Sequence, residues 1–120
     1  DEAGMEGFED PFNRQTYPWG REDQELLAWY QALGRLRRRH PALRRGAIRY
    51  VCGKGPLLAF LRETEEERLL CVFNAGNEAR GLELEEGRPS LLLGQAELRQ
   101  EDGLYTVLLP PRSGAVFSMK

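Results

Sequence analysis

The spacing of hydrophobic residues changes near residue 40. Before that point, from Asp23 to Arg39, apolar residues recur at intervals of three and four, which places their side chains on one face of a helix. Pro41 disfavours helical geometry at His40 and ends the pattern. The sequence therefore predicts a helix with one buried apolar face, made of Leu26, Trp29, Tyr30, Leu33 and Leu36.

Short apolar runs separated by turn-forming residues fill the chain after Pro41. Gly, Pro, Asn and Asp cluster between the runs, as in Gly53-Lys54-Gly55-Pro56 and Asp102-Gly103. Many short strands at this spacing are typical of an antiparallel β-sandwich. The predicted strands are 47–52, 57–62, 68–74, 81–85, 90–93, 97–100, 104–109 and 115–119.

The first twenty residues follow neither a helix nor a strand period. They are rich in glycine, proline and acidic residues and also carry several aromatic side chains, which disordered linkers usually lack. We therefore expect an ordered loop, because structureless segments of this length are usually functional or disordered. Tyr17 and Trp19 stand just before the predicted helix, where an aromatic side chain commonly packs the loop down.

Composition limits the size and the partners of this chain. Its 120 residues, 41% of them hydrophobic, suffice for one modest domain and a short extra element. A net charge of −2 gives no general attraction to nucleic acid or to a membrane surface, and no apolar run approaches the ~20 residues of a membrane span. We expect no nucleic-acid or membrane partner and a cytoplasmic location.

The two cysteines, Cys52 and Cys71, lie in apolar runs, where free thiols are common. A disulfide between them, across neighbouring strands, stays open.

Several kinds of chemistry lack the residues they need. A nucleophilic hydrolase requires a histidine base beside its nucleophile, but the one histidine, His40, ends the predicted helix. One histidine and two distant cysteines do not form a zinc site, and no cofactor is expected. Carboxylates suited to glycoside hydrolysis cluster in the loop, but a loop cannot hold an acid and a nucleophile at a fixed separation. These carboxylates are Asp1, Glu2, Glu6, Glu9 and Asp10.

The order of several motifs resembles the C-terminal part of one enzyme family. The opening segment, DEAGMEGFEDPFNRQTYPW, is similar to the segment after the last barrel strand of α-amylase family glycosidases (glycoside hydrolase family 13), and most similar to that of neopullulanases and cyclomaltodextrinases. The segments LRRRHPALRRG, LLAFLR, ERLLCVFN and LPPRSGAVF follow in the order of that family's last barrel helix and C-terminal sandwich.

This resemblance implies a fold, a domain division and an activity for the parent enzyme. Residues 1–40 would be the remnant of a (β/α)8 barrel, with an active-site loop at 1–21 and the last barrel helix at 22–40, and residues 41–120 would be the sandwich. The parent would be a retaining hydrolase of starch-like α-glucans. Its catalytic residues would lie upstream, so this C-terminal fragment would be inactive alone and would stabilise the barrel.

Two loop residues match a substrate-binding motif of the family. Asp10 and Arg14 occupy the Asp-Pro-x-x-Arg pattern, which in similar enzymes lines the sugar subsites. A carboxylate and a guanidinium suit sugar hydroxyls because they form charge-assisted hydrogen bonds. A loop-bracing salt bridge is the alternative role for the pair, and Asp1 and Glu2 are assigned to loop support. Stacking on sugar is the alternative to the anchoring role of Tyr17 and Trp19.

Two other functions stay open. The sandwich could be a carbohydrate-binding module, but such modules usually expose aromatic residues, and here the strand aromatics are expected in the core. Alternatively, the apolar helix face with Leu26, Tyr30 and Leu33 could fold onto the sandwich or dock on a second copy of the chain. The aromatics expected in the core are Tyr50, Phe60, Phe73, Tyr105 and Phe117.

Overall fold

A computed structural model describes all residues from 1 to 120, and these divide into two compact units. The first unit comprises Asp1–Arg39 and the second comprises His40–Lys120. The first unit contains the opening loop and helix α1 (Gln24–Arg39). Asp23 caps this helix, because its Oδ1 accepts a hydrogen bond of 3.0 Å from the backbone N–H of Leu26. The predicted helix is confirmed to within one residue at its start.

The burial expected for the apolar face of α1 is mostly wrong. Leu36 is buried, but Trp29, Tyr30 and Leu33 are each about two-fifths exposed, at 41%, 43% and 37%. Leu26 is half-buried. The periodicity identified the helix correctly, but amphipathic spacing reports only that a face is suited to burial and not that the chain covers it.

The second unit consists of one short helix and eight strands. Helix α2 (Ala42–Arg45), which the sequence did not predict, precedes the first strand. All eight predicted strands are present, with ends that differ from the predictions by at most two residues. They are β1 (Ala47–Lys54), β2 (Leu57–Glu63), β3 (Arg68–Asn74), β4 (Arg80–Leu84), β5 (Pro89–Gly94), β6 (Glu97–Glu101), β7 (Leu104–Leu109) and β8 (Ser113–Met119).

The strands form two antiparallel sheets, which confirms the mainly β, sandwich fold. The large sheet has the strand order β1-β2-β3-β8-β5, and the small sheet has the order β4-β7-β6. The last strand, β8, lies between β3 and β5, so the chain ends in the interior of the large sheet and not at its edge. The predicted turn at Asp102-Gly103 connects β6 to β7, and both residues have positive φ, as the tight hairpin turn requires.

The core lies between the facing surfaces of the two sheets. Phe117 of β8 is fully buried there, as predicted. Leu70 and Val72 of the large sheet meet Val107 and Leu109 of the small sheet in the same cluster. Each of these side chains is at most 1% exposed. The second unit therefore has a hydrophobic core of its own.

Some of the strand aromatics expected in the core lie outside it. Tyr105 is partly buried and packs against the core, but Tyr50 is 73% exposed and Phe73 is 41% exposed. Phe60 is half-buried beside them. The core prediction is wrong for Tyr50 and Phe73, because strands that are apolar on both faces give no indication of which face meets the second sheet.

The two cysteines are free thiols on opposite faces of the large sheet. Cys52 packs against the core, in register with Ala59, whereas Cys71 is in register with Phe60 on the other face. Strand β2 lies between them. A disulfide between Cys52 and Cys71 is therefore incompatible with this sheet. Burial also raises the pKa of the Cys71 thiol to about 11, which keeps it protonated.

Candidate functional site

Asp10 and Arg14, the two candidate sugar-binding residues, form an ion pair at the tip of the opening loop. Arg14 Nε lies 2.7 Å from Asp10 Oδ1, and Arg14 Nη2 lies 3.3 Å from Asp10 Oδ2. Both side chains are more than half exposed. Backbone hydrogen bonds from Phe12 to Glu9 and from Arg14 to Pro11 form the turn that holds them four residues apart. The pair is open to a ligand, and it also has the geometry of the loop-bracing salt bridge.

Aromatic residues of the loop are largely exposed. Phe8 is 86% exposed, Phe12 is 68% exposed and Trp19 is 82% exposed. Tyr17 and Trp19 contact one another, with ring centroids 4.6 Å apart. Partial burial, together with the negative charges of Glu22 and Glu2, raises the pKa of Tyr17. The anchoring role expected for Trp19 is wrong, because its ring packs on Tyr17 and otherwise faces solvent.

The first residues of the loop are tied to the start of α1. The backbone N–H of Gly4 donates to the carbonyl of Asp1, and that of Asp23 donates to the carbonyl of Ala3, both at 3.0 Å. Ala3 is buried. These contacts are consistent with the supporting role assigned to Asp1 and Glu2. The carboxylates of Glu6 and Glu9 are exposed and have no partner, so no pair of fixed carboxylates is formed in the loop.

His40 belongs to a structural contact and not to a nucleophilic site. Its Nδ1 lies 3.0 Å from Oε2 of Glu67, and Oε1 of Glu67 accepts a 2.7 Å hydrogen bond from the backbone N–H of Ala42. Burial alone would raise the pKa of Glu67, but the hydrogen bonds from Ala42 and His40 outweigh it, so the pKa is lowered. Glu67 thus ties the start of α2 to the β2–β3 turn, a role that the sequence did not indicate.

The sequence also missed a row of aromatic side chains on the outer face of the large sheet. Tyr50, Phe60 and Phe73 come from three adjacent strands, and we call them the aromatic row. The ring centroids of Tyr50 and Phe60 are 6.2 Å apart in an edge-on arrangement, and those of Phe60 and Phe73 are 6.0 Å apart and stacked. The one signal that could have revealed the row is that β3 is apolar on both faces, whereas the core of a sandwich requires apolar residues on only one face of each strand.

The chain offers no metal centre and no assembled catalytic group. No group of three or more His, Cys, Asp or Glu side chains is placed to hold a metal ion. No helix is long and apolar enough to cross a membrane. The features that define the class of the protein are therefore its fold and its surfaces: an eight-stranded antiparallel sandwich, preceded by a loop and a helix.

Comparison with known proteins identifies the family of this sandwich. Residues 54–116 match the model of the maltogenic amylase C-terminal domain, which covers more than half of the chain. The chain belongs to this family. It is also 36% identical over 89 residues to a cyclomaltodextrinase from a Bacillus species, and 39% identical over 62 residues to an amylopullulanase from Thermoanaerobacter thermohydrosulfuricus. The resemblance to α-amylase family glycosidases is confirmed.

Solved structures of that family share the fold over nearly the whole chain. An α-amylase from Anoxybacillus matches 96% of the chain with a TM-score of 0.80 and 28% identity, and the Nostoc punctiforme debranching enzyme matches 91% with a TM-score of 0.79 and 28% identity. The matched regions are 26% and 24% of those chains. The chain spans only 16% of the length of the cyclomaltodextrinase and 4% of that of the amylopullulanase.

Proposed function

We propose that this chain is the C-terminal region of a retaining α-glucan hydrolase that acts on starch-like oligosaccharides. The catalytic groups of that enzyme lie in a (β/α)8 barrel outside these 120 residues, and the sandwich stabilises the barrel by covering part of its apolar surface. Family membership and the small share of each relative that the chain spans support this proposal. On this proposal the 120-residue chain is inactive alone.

The observation that carries the stabilising role is the aromatic row. The sandwich already has a complete core between its sheets, so Tyr50 and Phe73 do not contribute to its own interior. Their exposure leaves apolar area in water, and burying an aromatic side chain stabilises a protein by about 1.5–3 kcal/mol. Leu58 is 39% exposed on the same face and enlarges the patch. A second apolar surface that covers this face would therefore be strongly held.

A double substitution in the intact enzyme tests this role. Tyr50→Ser with Phe73→Ser removes apolar area from the outer face without entering the core. We expect the melting temperature of the barrel to fall by several degrees, while the turnover number measured well below that temperature is unchanged. Leu104→Ser is the control, because Leu104 is exposed on the outer face of the small sheet. An equal fall in both proteins, or no fall in either, would refute the stabilising role.

Asp10 and Arg14 are the residues we propose to contact sugar in the intact enzyme. Their side chains form an exposed ion pair, whose charged groups can form hydrogen bonds with sugar hydroxyls. The exposed rings of Phe8 and Phe12 are close to them in the sequence. Arg14→Ala in the intact enzyme should raise KM for maltooligosaccharides, with little change in melting temperature. A lowered melting temperature with unchanged KM would favour the loop-bracing role instead.

The aromatic row also supports a second candidate function, a carbohydrate-binding module. Such modules usually expose aromatic residues, and Tyr50 and Phe73 are exposed on this sheet although the sequence predicted that they would be buried. Titration of maltooligosaccharides into the 120-residue chain by calorimetry distinguishes the two functions. Binding at millimolar concentration or tighter, lost in the Tyr50→Ser, Phe73→Ser protein, would favour the module, and absence of binding would favour the covering role.

The exposed face of α1 supports a further partner, a second copy of the chain. Trp29, Tyr30 and Leu33 present adjoining apolar area on one unit. We expect light scattering to detect a dimer of the 120-residue chain that Leu33→Glu converts to a monomer. A monomer at all concentrations would refute docking through this face.

We also propose that the protein is cytoplasmic. Its two cysteines are free and their positions in the sheet prevent pairing, as suits a reducing compartment. Cell fractionation with detection of the intact enzyme tests this, and recovery from the medium or the periplasm would contradict it.

A further inference from the structure

The two sheets of the sandwich are unequal, and the difference leaves a groove at one side. The large sheet has five strands and the small sheet has three. On the large sheet the groove is lined by Leu61 and Leu70, and on the small sheet by Leu82 and Leu84 of β4. The groove therefore lies where β1 and β2 extend past the edge of β4. Its volume is about 470 Å³.

Strand β4 has a free edge along this groove. It pairs with β7 on one side and with no strand on the other. An unpaired edge presents backbone N–H and C=O groups that can bind another extended segment. The volume that one strand residue occupies between packed sheets is about 160 Å³. This is the product of the strand spacing (~4.8 Å), the rise per residue (~3.3 Å) and the sheet separation (~10 Å). The groove thus has room for about three residues of one added strand.

The charges beside β4 indicate what kind of strand would fit. Glu83 and Glu85 line the groove at the free edge, are exposed and have no ion-pair partner. The other charged residues there are already paired: Arg49 with Glu63 at 2.7 Å, and Glu86 with Arg68 at 3.4 Å. Opposite charges on adjacent strands stabilise a sheet, whereas like charges destabilise it. An added strand should therefore place basic side chains beside Glu83 and Glu85.

We propose that the free edge of β4 binds an extended peptide segment in which apolar and basic residues alternate. Its backbone pairs with residues 82–85. Because side chains alternate along a strand, its apolar residues enter the groove against Leu61, Leu82 and Leu84 while its basic residues lie beside the two glutamates. Tyr50 of the aromatic row also lines this groove, whereas Phe60 and Phe73 of that row do not.

A short synthetic peptide tests the proposal on the 120-residue chain. The probe is a blocked pentapeptide of alternating valine and arginine, titrated while backbone amide shifts are followed by NMR. We expect the largest shift changes at residues 82–85, and no binding of the same peptide with N-methyl groups on alternate residues. Shift changes confined to β1, or equal binding of the methylated peptide, would overturn the proposal.

Charge reversal provides the second arm of the experiment. Glu83→Lys with Glu85→Lys should weaken binding of the valine–arginine peptide by about tenfold and allow a valine–glutamate peptide to bind in its place. Glu97→Lys with Glu101→Lys is the matched control, because it makes the same change on β6 at the opposite edge of the small sheet. If the control weakens binding as much as the β4 variant, general charge attraction explains the binding and the proposed site is wrong.

Discussion

Both units of this chain contain regularly spaced hydrophobic residues, but the units differ in how many of those residues they bury. The second unit closes its apolar residues between two sheets, where Phe117, Val72 and Leu109 are fully buried. In the first unit, only Ala3 and Leu36 are buried, and the rings of Phe8 and Trp19 are more than four-fifths exposed. The difference shows that a helix with regular apolar spacing does not by itself supply a core.

A physical reason underlies the difference. A strand gains its stability from neighbours that the same unit supplies, and all eight strands here find such neighbours. A single helix of 16 residues has no second element of its own unit to pack against, and isolated helices of this length are marginally stable in water. The first unit thus relies on covering surfaces, as the proposed barrel would provide, whereas the second unit is stable through its own packing.

The largest expected effect is on the core of the second unit. Phe117→Ala removes a fully buried ring and should lower the free energy of unfolding by about 3–5 kcal/mol. Urea unfolding followed by far-ultraviolet circular dichroism measures this change. Phe8→Ala in the first unit is the control and should change the stability by less than about 0.5 kcal/mol. Comparable losses in both variants would remove the distinction between the units.

A buried amide should give the next largest effect. Asn74 is 2% exposed, and its Nδ2 donates to the carbonyls of Glu78 and Pro110 while its Oδ1 accepts from the N–H of Gly76. Asn74→Ala removes these hydrogen bonds, which leaves the Pro110 carbonyl with only the Ser113 hydroxyl as donor, and should cost about 2 kcal/mol in the same urea experiment. Asn77→Ala, which changes an exposed amide, should cost much less. If the two variants are equally stable, the Asn74 network does not stabilise the sandwich.

A smaller, pH-dependent effect is expected at Glu67. Glu67→Gln weakens its contacts with Ala42 and His40 and should cost about 1–2 kcal/mol at neutral pH. Because folding lowers the pKa of Glu67 below its ordinary value of 4.5, the stabilisation is complete above that value and is lost as the pH falls through the lowered pKa. The difference between the two proteins should therefore shrink in acid.

Urea unfolding at several pH values measures the Glu67 effect. Glu66→Gln is the control for it, because the neighbouring Glu66 side chain is exposed and makes no ion pair. A difference between wild type and Glu67→Gln that stays constant down to pH 3 would show that the ionised carboxylate is not the stabilising form.

The smallest effect is expected in the loop. Arg14→Ala removes an exposed ion pair and should change the free energy of unfolding by less than about 0.5 kcal/mol, because exposed ion pairs contribute little to stability. Thermal unfolding of Arg14→Ala and of Asp10→Ala should give nearly the same midpoint as the unaltered chain. A large loss in either variant would show that the first unit has more cooperative structure than its burial indicates.

Local signals in the sequence were sufficient to locate the strands. Turn residues such as Asp102 and Gly103 adopt positive φ angles that their own residue types favour. The helix from Gln24 to Arg39 is determined by the spacing of its apolar residues and by the cap at Asp23. The short helix α2 was missed because four residues are too few to show a period. Glu67 could not be identified as a site either, since its partners are 25 and 27 residues away in the chain.

The sequence alone determined the number and positions of the strands, the main helix, the sandwich class and the family resemblance. These depend on neighbouring residues and on motif order, which are present in a linear pattern. Only the tertiary structure decided that Tyr50 and Phe73 face outward, that Cys52 and Cys71 lie on opposite faces, and that β4 has a free edge above a groove. Those features depend on which strands pair and which face meets the second sheet, and such contacts join residues far apart in the chain.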